Sequence, residues 1–250
     1  MYLTENSLFD LVKRQYFFKL KAYNLFAGLL SVHVIAFLLS VNGVGSIGTH
    51  YDDLSISLTT YSNDMFLMLT GIWIFIAGTQ FVSKKQRDSD FSFPSTPYSS
   101  ALSSVAMLAT VACVSGIATY ALGIALKVVV VLFKNDEVMS MVGFYQPLGE
   151  MVLGMFVSVV YMLLAVGLGY AAGMLVQWHK IFAVILPVAV LGNVFYKGQV
   201  NQIETAWIVQ GTQFFVAETS LAMFVIKAAV VCLALFAASV LIAGKLEVRR

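Results

Sequence analysis

Two stretches of 26 residues, Ala101–Leu126 and Met151–Val176, carry no charged side chain. About 20 helical residues cross the roughly 30 Å hydrocarbon core of a bilayer. Backbone polar groups find no water there, and a helix satisfies them internally. The rest of the chain agrees: 60% of its 250 residues are hydrophobic and 11% charged, against about a quarter charged in soluble domains. These runs predict an all-α membrane protein, a single transmembrane domain over residues 1–250. A net charge of +2 gives no reason to expect nucleic acid as a partner.

Six runs have the composition of spans: Ala22–Val44, Met65–Val82, Ala101–Leu126, Met151–Val176, Ile181–Tyr196 and Leu221–Ala243. The fifth has only 16 residues and contains Pro187, so it must thin the bilayer or lean on protein neighbours. Pro187 and the Gly192–Asn193 pair could loosen that helix for a gating motion.

Placing the N-terminus inside puts eleven of the fifteen Lys and Arg residues on the cytoplasmic side. They are Lys13, Arg14, Lys19, Lys21, Lys84, Lys85, Arg87, Lys180, Lys245, Arg249 and Arg250. Asp52, Asp53, Asp64, Asp136, Glu137, Glu204 and Glu218 fall outside. Both termini are therefore expected in the cytoplasm. The first apolar run is too long for the core of a cleavable signal, so the chain is expected to stay in the membrane as made.

Two flanking segments are neither spans nor plain loops. Over residues 4–21, Leu8, Leu11, Val12, Tyr16 and Leu20 recur at helical spacing among Asp10, Lys13, Arg14 and Lys21. That pattern predicts a basic amphipathic helix in the headgroup plane. Between the last two spans, residues 197–220 hold two short apolar patches, Trp207–Val209 and Phe214–Val216, on either side of Gly211. They predict a re-entrant outer hairpin of two half-helices that turns at Gly211, a backbone tolerated at that depth only inside protein or along a cavity.

Several chemistries lack their residues. The string GVGSIG at 43–48 matches a dinucleotide fingerprint in letters only, because a span precedes it where a strand is required. No P-loop string occurs, so the chain has no phosphate-binding loop of that kind. Cys113 and Cys232 lie in apolar runs, where a thiol behaves as a small hydrophobe; neither a disulfide nor a metal site is expected. A nucleophile–base pair or carboxylate dyad at membrane depth is missing too, and an enzyme is not expected. Gly169 and Gly173, like Ala112 and Gly116, have the small-xxx-small spacing of close helix packing. Lys127 and Lys227 sit near span ends, where a lysine can snorkel, Lys227 toward Glu218 or Glu150. His33 is expected to be a hydrogen-bonded packing residue.

Residues 83–100, SKKQRDSDFSFPSTPYSS, form the long polar stretch in mid-chain. Lys84, Lys85 and Arg87 suit lipid headgroups, while Phe91, Phe93 and Tyr98 suit either the interfacial aromatic belt or the groove of a soluble partner. With the amphipathic N-terminus, six spans and apolar patches before the last span, the layout resembles the membrane subunits of ABC-2 type transporters. The resemblance covers essentially the whole chain. It implies that Arg87, Asp88, Ser89, Asp90, Phe91 and Phe93 dock on a separate ATPase subunit that binds ATP and Mg. Leu8 to Leu20 would form the connecting helix beside them. It further implies pairing with a second copy or a related permease, in the plasma membrane of a bacterium. The short N-terminus and compact loops resemble the Gram-positive subgroup that exports or clears membrane-active peptides and other amphiphiles. The competing expectations are an ion-coupled carrier or channel working without ATP, and a non-transporting peptide-immunity protein.

Overall fold

The computed structural model describes residues 8–41, 43, 45–51, 54–83, 97–134, 147–200 and 203–247. The first apolar run does not make one straight span. A helix α1, Leu8–Ala22, stops at Tyr23 and Asn24, and α2, Leu25–Ser40, continues at an angle of 48°. At 1.5 Å per residue the 16 residues of α2 reach about 24 Å, less than a full hydrocarbon crossing. Gly43, at φ 90°, donates its N–H to the Ser40 carbonyl just past the helix end. Only glycine takes that left-handed conformation without strain, so the chain leaves the helix there.

The expected outer loop is instead an antiparallel hairpin. Strand β1, Gly45–Tyr51, pairs with β2, Leu54–Thr60, from Gly45↔Thr60 to Tyr51↔Leu54. The correction has a sequence signal behind it. LSISLT, residues 54–59, alternates apolar and polar at period two, the pattern of a strand with one covered face.

The remaining elements are α3, Asp64–Phe81; α4, Pro97–Lys134; α5, Leu148–Trp178; and α6, Phe182–Gln199. A 3₁₀ turn at Ile203–Thr205 then leads into α7, Trp207–Val216, and α8, Leu221–Glu247. Among the described residues, α3, α4, α5, α6 and α8 are each long and apolar enough to cross a membrane. The bent α1–α2 pair makes a sixth if counted as one span. The protein is thus a multi-pass helical membrane protein. Three boundaries differ from expectation. The helix α4 has 38 residues because Pro97 fits a first helical turn, where its missing N–H costs nothing, and Lys127 interrupts the apolarity but not the helix. The helix α6 reaches 18 residues, with Pro187 in its interior. Residues 207–216 form one helix, α7, which runs unbroken through Gly211.

The described chain divides into two compact units, and α1, α3, α4 and α5 each contribute to both. One unit comprises residues 20–74 and 108–166. Its core is Ala36, Phe66, Leu126 and Val130, with Phe37, Val41, Tyr61 and Leu122 packed around them. Buried His33 shares a 3.2 Å hydrogen bond with Thr119, tying α2 to α4 as expected of a packing histidine. The spacing of Ala112 and Gly116 serves close approach: a Cβ on Gly116 would lie 2.6 Å from the backbone of Val159.

The other unit comprises residues 1–19, 75–107 and 167–250. Here α5 meets the end of α3 through the Gly169–Gly173 pair. A Cβ on Gly169 would sit 2.1 Å from the Phe75 carbonyl oxygen, and one on Gly173 3.0 Å from that of Thr79. In lipid no hydrophobic drive separates helix from solvent, so such backbone proximity is where helix packing gains its energy.

Candidate functional site

The most polar buried place in this second unit lies where α1 crosses the start of α4. The sequence leads one to expect the lysines of α1 at the lipid headgroups. Lys19 departs from that: it is 1% exposed, and Gln15, one turn before it, is also buried. Residues i and i+4 share a helix face, so the pair makes one inward stripe. Leu11, Val12, Tyr16 and Leu20, the expected apolar stripe, flank it half-buried, while Leu8, Phe9 and Phe17 are exposed beside Lys13, Arg14 and Lys21. The apolar stripe thus does not simply face the bilayer; its centre is polar and turned onto protein.

Opposite Gln15 and Lys19, α4 presents Ser99, Ser100, Ser103 and Ser104. Three of these residues supply acceptors to the Lys19 ammonium: the Ser104 hydroxyl at 2.7 Å, the Ser103 hydroxyl at 3.0 Å and the Ser100 carbonyl at 3.0 Å. An ammonium has three donor hydrogens, and three oxygens converge on it. Ser103 also bonds Gln15 Oε1 at 3.2 Å, and Gln15 Nε2 reaches Ser99 at 3.5 Å. Both Ser103 and Ser104 can turn their hydroxyl hydrogens back to the Ser100 carbonyl, 2.9 Å away. Charge-assisted bonds of this kind are about twice as strong as neutral ones. The arrangement latches α1 to the first two turns of α4.

A second polar focus lies around α7. Asn193 of α6 accepts the backbone N–H of Trp207 through Oδ1 at 2.9 Å, holding the first residue of α7 against α6. Near the start of α8, Lys227 forms an ion pair with Glu218, as its position predicts, and its ammonium lies 4.4 Å from the centre of the Phe214 ring. A cation over an aromatic face gains from the ring quadrupole. The short helix is therefore anchored at both ends. Gly211, in its middle, has open space where a Cβ would be, so it serves neither as a turn nor as a close contact in this chain.

The remaining site expectations divide plainly. Gly169 and Gly173 are packing glycines. Pro187 stands within α6, where its missing N–H leaves one helical bond unmade. The proposed docking residues Arg87, Asp88, Ser89, Asp90, Phe91 and Phe93 lie outside the described residues. The serine face of α4 and the buried Gln15–Lys19 stripe were not read from sequence; their signal is an i, i+4 polar pair aligned with serines some 80 positions away, a match only the fold creates. Among the described residues, no group of three or more His, Cys, Asp or Glu side chains could hold a metal.

Comparison with protein-family models, with curated proteins and with solved structures gave no match.

Proposed function

We propose that this chain is the membrane-spanning subunit of an ATP-driven exporter of the ABC-2 type, driven by a separate ATPase subunit. One observation carries the reading: the Lys19 latch fastens amphipathic α1 to the opening turns of α4. The polar segment 84–96 enters α4 at that same end. A partner pushing on Arg87 to Phe93 would load α4 at its first turn and α1 through the latch. Two elements would then answer one stroke as a rigid body.

The substrate class follows from chemistry. Span interiors dominated by apolar side chains suit an amphipathic cargo (a peptide, a lipid-like molecule or a drug) better than an ion. A second permease copy would complete the transport path, as the resemblance to that family implies. In this reading both termini are cytoplasmic, and ATP and Mg belong to the partner.

Co-purification tests the proposal. Tagged protein extracted from its native membrane should bring down a P-loop ATPase. The double change Asp88→Lys and Asp90→Lys, or Phe91→Ala, should release that ATPase while the permease stays folded. Undiminished association in both variants removes the docking segment from the account.

A further inference from the structure

We infer that the groove between α2 and α4 is a binding site for one acyl chain of a membrane lipid. The cavity has a volume of about 530 Å³, within the range of small-molecule sites. Phe26, Leu30, Val34 and Leu38 follow one another at i, i+4, i+8 and i+12 along its α2 wall. On the α4 wall the small Ala118 and Ala121 leave the space open.

Three features select the occupant. The first is length. From Phe26 to Leu38 is twelve residues, or about 18 Å along the helix. That is close to half of a 30 Å hydrocarbon core, the depth of one leaflet. The second is position. Phe26 is the second residue of α2, just past the 48° bend at which α1 departs. Outside the latch, α1 mixes exposed Phe9 and Phe17 with Lys13, Arg14 and Lys21, a composition suited to headgroup level. The groove therefore opens at the N-terminal end of α2, where Lys21, Tyr23 and Asn24 suit the lipid headgroups, and runs from there into the leaflet.

The third feature is chemistry. The polar member of the described lining is His33, and its Nε2 is already engaged by Thr119. A water here would lack the two to four polar partners it needs. A helix from a second copy is about 10 Å across, so it would lie over the mouth of the groove, an arrangement that a disulfide between two copies would report. A flexible hydrocarbon chain fits by length and polarity.

The test uses the full chain in phosphatidylcholine vesicles containing a small fraction of phosphatidylcholine with a diazirine in its acyl chain. After illumination, peptide mapping compares crosslinks on residues 26–38 and 118–122 with those on exposed Val184, Val188 and Leu191 of α6, ordinary lipid-facing positions. The expected result is about fivefold or more labelling in the groove, equivalent to about 1 kcal/mol of preference. Ala121→Phe or Ala118→Leu, which fill the space, should bring it down to the α6 level. Equal labelling of groove and α6 in the unmodified chain overturns the site, whatever the variants do. So does an excess that survives both substitutions, or near-complete disulfide formation between Leu30→Cys residues of two copies in the membrane. None of these readouts requires an ATPase, so the site stands or falls apart from the transport proposal.

Discussion

Lys19 concentrates the energetic stakes of the molecule in one side chain. Its ammonium is out of water, so each oxygen around it replaces hydration that it has lost. Lys19→Met removes the charge but leaves Ser103 and Ser104 a fallback in the Ser100 carbonyl. The expected loss is therefore modest, about 1–2 kcal/mol. Lys19→Glu would bury a carboxylate against the Ser100 carbonyl, with the Ser103 and Ser104 hydroxyls turning to donate to it, and the loss should exceed about 3 kcal/mol. Thermal unfolding in detergent checks the order; equal melting temperatures for the two variants would show that the latch carries no charge-specific energy. The glycines give a second ordered series. Gly169→Ala must push a methyl into the Phe75 carbonyl and should cost toward the top of about 1–3 kcal/mol, with Gly173→Ala toward the bottom. Gly211→Ala meets nothing and removes a flexible residue from a helix interior, so it should stabilise by about 0.5–1 kcal/mol. Spacing alone singled out Gly169 and Gly173, because close helix contact in lipid demands small residues at that interval. The same kind of reading failed at Gly211. A glycine between two apolar patches looks like a turn, yet the Asn193 anchor and the Lys227–Glu218 pair hold the whole segment as one helix.

Elements whose character is set by local chemistry were legible, and those set by distant partners were not. Uncharged apolar runs announced α3 and α5 to within a few residues, since hydrocarbon fixes both the length and the conformation of a span. The hairpin was legible in LSISLT, but the acidic surroundings of 52–53 favoured reading a loop. The helix α1 was recognised by its period, whereas its docked face was not. A lysine in a basic amphipathic helix reads as headgroup-facing until the serines of α4 are brought beside it. The anchoring of α7 makes its own prediction. Asn193→Ala strips the Trp207 N–H of its acceptor, and the first turn of α7 should loosen by about 1 kcal/mol. Hydrogen exchange at residues 207–210 should quicken about fivefold while α8 is unaffected. Unchanged exchange at 207–210 would mean that the Asn193 contact does not hold the helix.

At the scale of the whole molecule, the proposed role is that of a membrane part moved by a partner outside the bilayer. The chain supplies apolar spans, the amphipathic helix α1 and a latch joining that helix to α4. It supplies no P-loop string with which to hold ATP. The measurement that bears most directly on this is transport in vesicles containing the protein with its co-purified ATPase, following a fluorescent amphiphile with and without ATP. Movement should require ATP. In the Lys19→Met complex, ATP hydrolysis should persist while amphiphile moved per ATP falls several-fold. Amphiphile movement by the protein without any ATPase, driven by an ion gradient and indifferent to nucleotide, would contradict the account.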